Sequence, residues 1–317
     1  MPTLALARMR KMAKNNPPIL PRDPADPQGT DTLDAQAARD FRRRLRECGK
    51  AYIDALEQIP AELATNARTY RYRLDQGLLQ WLLGNAGALV DSVMLEGGPD
   101  ALWFFDGYVA VATKRGVAQQ MRNIAAQSPA YKAARGNVIL SEPHLQRMLL
   151  LRTRVFEDMK GFTQQIKTDL SRILADGMGR GQGPLVVAQN IKEQLKVEQH
   201  RAERIARTEI STAKRRAKWD EADDAAAEYG SRTLEMHFSA LSATTRASHT
   251  ARHGRLFTRE ECRDWWAQGA TAINCKCSTI STVVDENGEP VAQGVLSRAR
   301  AVKAKMEQRG YAWSKED

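Results

Sequence analysis

Three of the chain's four cysteines and three of its five histidines fall between Met236 and Ser278. His249 and His253 are four apart, so on a helical turn their rings face the same way. Cys275-Lys-Cys277 puts two thiolates within reach of one ion if the backbone bends there. Zn²⁺ takes four N and S ligands in a tetrahedral array, which makes His249, Cys275 and Cys277 a candidate zinc set. His253 or Cys262 would complete it. A unit of about sixty residues with a thin core would gain from such a staple. The spacing is not that of a standard finger, and the opposing reading keeps the cysteines as reduced core residues with His249 in a hydrogen bond.

The same residues could do other chemistry. Cys275 or Cys277 with His249 would make a nucleophile–base pair, and Arg246, His249 and Glu209 could serve a nuclease or transferase. No further signature supports either, so the expectation is a protein that is not an enzyme. GMGRGQGP (177–184) lacks the Gly-Lys-Ser/Thr ending of a phosphate loop and follows a helix instead of a strand, so it reads as a hinge.

The elements that must position these residues are legible in part. The expected fold class is α+β: a mainly helical N-terminal body, then a small α+β C-terminal unit stapled by zinc if the cluster binds it. Residues 1–30 hold a proline-rich stretch without apolar periodicity, an extended tail unless something covers it. Residues 31–140 read as helices, starting near Asp31 or Thr32 and broken at Gly97–Gly98–Pro99, at Gly107 and at Ser128–Pro129. LLQWLLGNAGALV (78–90) reads as a buried helix. Residues 141–229 hold long helices. Val155, Met159, Phe162, Ile166, Leu170 and Ile173 form one apolar stripe that stops at Asp176–Gly177. Pro184 suits the first turn of the next segment, and a further helix is expected from about Glu198 to Tyr229. Within 230–292, TLEMHF (233–238) and CSTISTVV (277–284) read as strands, the second leading into a turn at Asp285–Gly288. Residues 293–317 close the chain with a basic helix over Leu296–Gly310.

Charge points to polyanionic partners. The net charge is +10, with 27% charged residues and 42% hydrophobic ones, a globular balance. Arg204, Arg207, Lys214 and Lys218 share one helix side by the 3.6-residue period, with Arg298, Arg300 and Lys303 as a second patch. Double-stranded DNA, bound without sequence preference, is the expected partner; a solvated basic face over an ordinary core helix is the alternative. No run approaches the roughly 20 apolar residues of a membrane span and no secretory signal is evident. Four cysteines are too few for a secreted disulfide scaffold, so a cytoplasmic or particle environment is expected.

The order of motifs adds a resemblance. A helix, a glycine connector, a Pro184-led helix, RAERIARTE (201–209), a strand, TTRASHTARHG (244–254) and INCKCSTI (273–280) follow one another. This series resembles the phage Mu F-like head morphogenesis, or minor capsid, family, over about residues 145–285. The family's I-A-R-T-E helix falls on Ile205–Glu209, its R-x-x-H before a glycine on Arg246, His249 and Gly254, and its N-C-R-C on Asn274–Cys277. His253 stands where the family usually has an acidic residue, and Lys276 replaces the arginine between the cysteines. The resemblance implies a structural and assembly protein inside the head near the portal, in the virion and, during assembly, the host cytoplasm. Its implied partners are the portal protein and the major capsid protein or scaffold, and its role lies in DNA packaging or exit. Arg207, Thr208, Glu209 and Arg246 would then be structural motif residues. The competing expectation is a zinc-dependent or nucleolytic enzyme delivered with phage DNA.

Overall fold

The computed structural model describes residues 16–65, 68–73, 75–134 and 141–315. The chain is 65% helical with small antiparallel sheets, the expected α+β class. In chain order the elements are α1 (Asp31–Glu57), β1 (Ala61–Leu63), β2 (Tyr70–Tyr72), α2 (Gln76–Met94), a π-helical turn at Phe105–Val109, α3 (Ala110–Gln127) and α4 (Pro129–Ala134). There follow α5 (Glu142–Gly179), α6 (Pro184–Tyr229), β3 (Thr233–Phe238), α7 (Ala247–Thr250), β4 (Leu256–Phe257), α8 (Arg259–Ala267), β5 (Ser278–Val283) and α9 (Val295–Glu307).

Two compact units interleave along the chain. One gathers Leu33–Ala110 and Glu142–Ala206; the other gathers the chain up to Thr32, Val111–Ser141 and everything from Arg207 onward. In the first unit, Leu33, Ala37, Phe41, Leu45, Cys48, Tyr52 and Leu56 recur every three or four residues on α1 and are buried. Phe41 lies 5.1 Å from the ring of Phe104 and 6.2 Å from that of Phe162, edge-on or tilted as aromatic quadrupoles prefer. The stripe of α5 buries Val155, Met159, Phe162, Ile166 and Leu170 as expected, then shifts to Leu174.

Several boundaries differ from the sequence reading, each for a local reason. Gly177 does not stop α5. A Cβ there would meet Val187 Cγ2 at 2.6 Å, so the glycine serves close packing within a continuous helix. The helix after Pro184 does not begin anew near Glu198; no glycine or proline interrupts 185–229, and α6 runs unbroken for 46 residues. Gly107 lies inside the π-helical turn and breaks nothing. An antiparallel ribbon pairs Ala61–Leu63 with Tyr70–Tyr72 where only helix was expected, because Pro60 bars continuation of α1 and the tyrosines favour extended backbone. α2 is apolar in sequence but buries only Leu82, Ala86, Val90 and Met94, leaving Trp81 59% exposed.

In the second unit the sheet order is β4-β3-β5, with Met236 opposite Ile280 and His237 opposite Thr279. Strand alternation divides the two faces. Met236, Phe238 and Ile280 pack with Ala299 of α9. Glu235, His237, Thr279 and Ser281 take the other face, where polar partners meet them. Trp219 Nε1 donates to Thr279 Oγ1 at 2.9 Å, and Asn123 Nδ2 and Gln127 Nε2 both donate to the Ser281 carbonyl, at 2.7 and 2.9 Å. This face explains why Val111–Ser141 joins the C-terminal residues instead of its sequence neighbours.

The proline-rich segment finds its cover in its own chain. Residues 16–30 lie on the second unit, with Ile19 N donating to Asn123 Oδ1 at 2.9 Å and Gln28 and Thr30 both 1% exposed. The expected tail before residue 16 lies outside the described residues.

Candidate metal centre

His249, Cys275 and Cys277 converge. Their ligand atoms all lie within 4.8 Å of one another, and all three residues are buried. His249 Nδ1 faces both sulfurs, 3.5 Å from Cys275 Sγ and 3.4 Å from Cys277 Sγ. An ion bonded tetrahedrally to sulfur at about 2.3 Å and to nitrogen at about 2.0 Å holds those atoms about 3.5 Å apart. Both S···N spacings therefore fit Zn²⁺.

The surroundings favour a thiolate at Cys275. Trp266 Nε1 donates to Cys275 Sγ at 3.5 Å, and Ser239 Oγ lies 3.6 Å from Cys277 Sγ. Arg215 is fully buried, donating to the Cys277 carbonyl at 3.1 Å and stacked 4.8 Å over Trp266. The two thiols are pushed in opposite directions. The hydrogen bond from Cys277, then those of His249 and the charge of Arg215, hold the Cys275 thiol well below its usual range. The same bond and burial push the Cys277 thiol well above it. A dication would displace the proton of the Cys277 thiol, since metal binding requires both sulfurs as thiolates. Bound there, zinc would supply a cross-link between α7 and the start of β5.

The motif residues position this trio. α7 begins after Arg246, whose guanidinium donates to the carbonyls of Ala270, Thr271 and Ile273 at 2.8, 2.9 and 3.2 Å. Arg246 thus clamps the loop entering Cys275, while His249, three residues on, faces the sulfurs. Asn274 adopts φ +56°, a left-handed conformation that asparagine tolerates better than most residues. Its Oδ1 accepts from Arg207 Nη1 at 2.7 Å and its N–H donates to Thr208 Oγ1 at 2.9 Å. Arg207 and Thr208 therefore fix the turn that presents both cysteines; Glu209 is half-buried and also engaged. Gln28, which the sequence reading passed over, donates to the Cys277 carbonyl at 2.9 Å. No local signal could mark it, because its partner is 249 residues away.

Two expected ligands fall outside the trio. His253 Nδ1 accepts from Ser239 N at 3.0 Å, and its Nε2 lies 3.0 Å from the Ala299 carbonyl. The neutral Nε2–H tautomer satisfies both, leaving no lone pair for a metal. Cys262 is core, packed with Trp219 and Trp266, and burial pushes its thiol up to about 12. His237, absent from the sequence set, is fully buried and stacked 5.0 Å from Trp266, also outside the trio.

Burial lowers His253 to about 4. It stays neutral when folded while the unfolded side chain protonates near 6.5, so its contribution is complete above pH 6.5 and is lost as pH falls towards 4. The full loss is about 3 kcal/mol by the pKa difference. We expect the urea midpoint of the wild type to fall across this window more steeply than that of His253→Gln; equal slopes would assign the acid sensitivity elsewhere.

The expected DNA-binding face is only partly a surface. Lys214 and Lys218 are buried, 5% and 2% exposed. Lys214 Nζ donates to the Gln28 carbonyl; Lys218 Nζ donates to Ser278 Oγ at 3.0 Å and to the Thr279 carbonyl. Burial lowers Lys214 to about 8 and Lys218 to about 7. This part of α6 is covered by the 16–30 segment and by β5, so these ammonium groups cannot meet phosphates. Arg207 is committed to Asn274. Arg204, Arg298 and Arg300 are exposed, and Lys303 Nζ lies 3.6 Å from Glu307.

The arrangement defines a class: a small sheet module with a buried His/Cys trio that could hold a metal, following a long helix. Residues 168–280 match the family model described as Phage Mu protein F like protein, the family whose motifs the sequence resembles. The match takes in β3, the trio and both clamping arginines. No curated protein and no solved structure matches the chain.

Proposed function

We propose that the chain is a phage head morphogenesis protein, a minor capsid component bound inside the head near the portal. The observation carrying this reading is the family match over 168–280, which takes in Arg207, Arg246 and the trio. Its residues serve construction. Arg207 and Arg246 donate to the loop at the metal site, and Thr208 accepts from it. Zinc bound at His249, Cys275 and Cys277 would hold the module rigid while its surface meets the portal protein, the major capsid protein or the scaffold. No described helix is long and apolar enough to cross a membrane. Co-expression with the cognate portal tests the docking: the reading expects the two to co-purify, and portal assembled without the chain under those conditions counts against it.

Packaged duplex DNA is the second proposed partner, met by Arg298 and Arg300 of α9. Two phosphate contacts give a slope of about −2 in log affinity against log salt. Replacing Arg298 and Arg300 with alanine should shallow that slope equally on unrelated sequences, since no base edge is read. No retention of duplex DNA even at low salt would remove DNA from the partners.

A further inference from the structure

The trio supplies three ligands, and no fourth His, Cys, Asp or Glu among the described residues joins them. The side left open is not sealed by core. A cavity of about 270 Å³ is lined by all three ligands together with Arg207, Arg246 and Lys276. Every charged residue that lines it is cationic. Zn²⁺ with two thiolates and a neutral imidazole is formally uncharged, and the buried Arg215 behind it adds one positive charge. Three protein ligands with one position facing a pocket is the arrangement of zinc sites that take an exogenous ligand, whereas purely structural sites are closed by four.

We propose that the fourth coordination position takes an oxyanion from outside the chain, a phosphate or a carboxylate oxygen, drawn in by the cationic rim. This rests on the zinc reading above. Arg246 and Arg207 hold the loop at the same time, so the rim charge that can be tuned is Lys276. Its Nζ lies 2.6 Å from Asp31, a carboxylate that does not line the cavity and that partly neutralises it.

That ion pair makes a two-way test. Purified protein is loaded with Co²⁺, whose thiolate charge-transfer band reports the two sulfurs and whose visible bands report coordination. Inorganic phosphate and acetate are then titrated separately. Saturable change of the visible bands, with the charge-transfer band kept, is expected. Tighter phosphate binding assigns the position to a phosphate-bearing partner, tighter acetate binding to a carboxylate side chain. Lys276→Gln should weaken the anion several-fold, and Asp31→Asn, which frees the ammonium, should strengthen it several-fold. Visible bands unmoved by both anions overturn the proposal, as do variants that shift affinity in the same direction. A missing charge-transfer band would instead overturn the metal site itself.

Discussion

Removing zinc from the purified protein should unfold the second unit's sheet module, the largest single effect expected of this chain. Structural zinc contributes apparent folding free energies of about 10 kcal/mol or more in small domains, and a three-ligand site on a larger core should retain a substantial part of that. Elemental analysis should return about one zinc per chain. Cys277→Ser should take that to near zero and lower the melting temperature as far as chelator lowers that of the wild type. Cys262→Ser and Cys48→Ser should both keep the metal. Cys262 lies outside the trio, and Cys48 is buried on α1 in the other unit. Metal-free protein whose melting curve is indifferent to chelator would show that His249, Cys275 and Cys277 are ordinary core.

Arg215→Met should be nearly as damaging, and for an electrostatic reason. The guanidinium is buried, donating to the carbonyls of Cys275 and Cys277 and, at 3.2 Å, to Thr212 Oγ1. Methionine fills similar space and relieves the cost of burying a charge, an exchange that is often neutral when both partners of an ion pair are replaced together. Here the partners remain: buried carbonyls lose their donor, and the Cys275 sulfur loses the charge of a buried cation. Removing one side of such a group costs about 3 kcal/mol or more. The expected result is a lower urea midpoint together with weaker zinc affinity. Arg215→Lys should rescue little, because a point charge cannot span three acceptors as a planar fork does. Full zinc affinity in Arg215→Met would reduce the guanidinium to packing.

The contrast between Cys275/Cys277 and Lys214/Lys218 shows what the sequence could carry. His249, Cys275 and Cys277 were legible because a metal needs particular residue types, and those types are scarce. The IARTE, R-x-x-H and N-C-x-C motifs were legible as a series, but their common purpose, fixing one left-handed turn at Asn274, needed the fold. Helical periodicity placed Lys214 and Lys218 on one side of α6 correctly. It could not say that the 16–30 segment and β5 cover that side, because the covering residues lie far off in sequence. The same blindness made His253 look like a ligand: spacing of four fits a helix, yet α7 ends at Thr250 and His253 lies beyond it, turned to Ser239 and Ala299. The strands were legible at 233–238 and 277–284 from their β-favouring residues and the turn that follows, whereas Val111–Ser141 joining them rests on Asn123 and Gln127 reaching Ser281, a pairing without local signature.

The proposed place of this chain is inside a phage head. Quantitative mass spectrometry of purified heads, assembled with and without the gene for this chain and washed at high salt, is the direct test. A few copies of the chain per head are expected, retained after the wash and reduced in parallel with zinc when Cys277→Ser is used. Heads that carry none of the chain while all of it remains in the soluble fraction of the cell would contradict it.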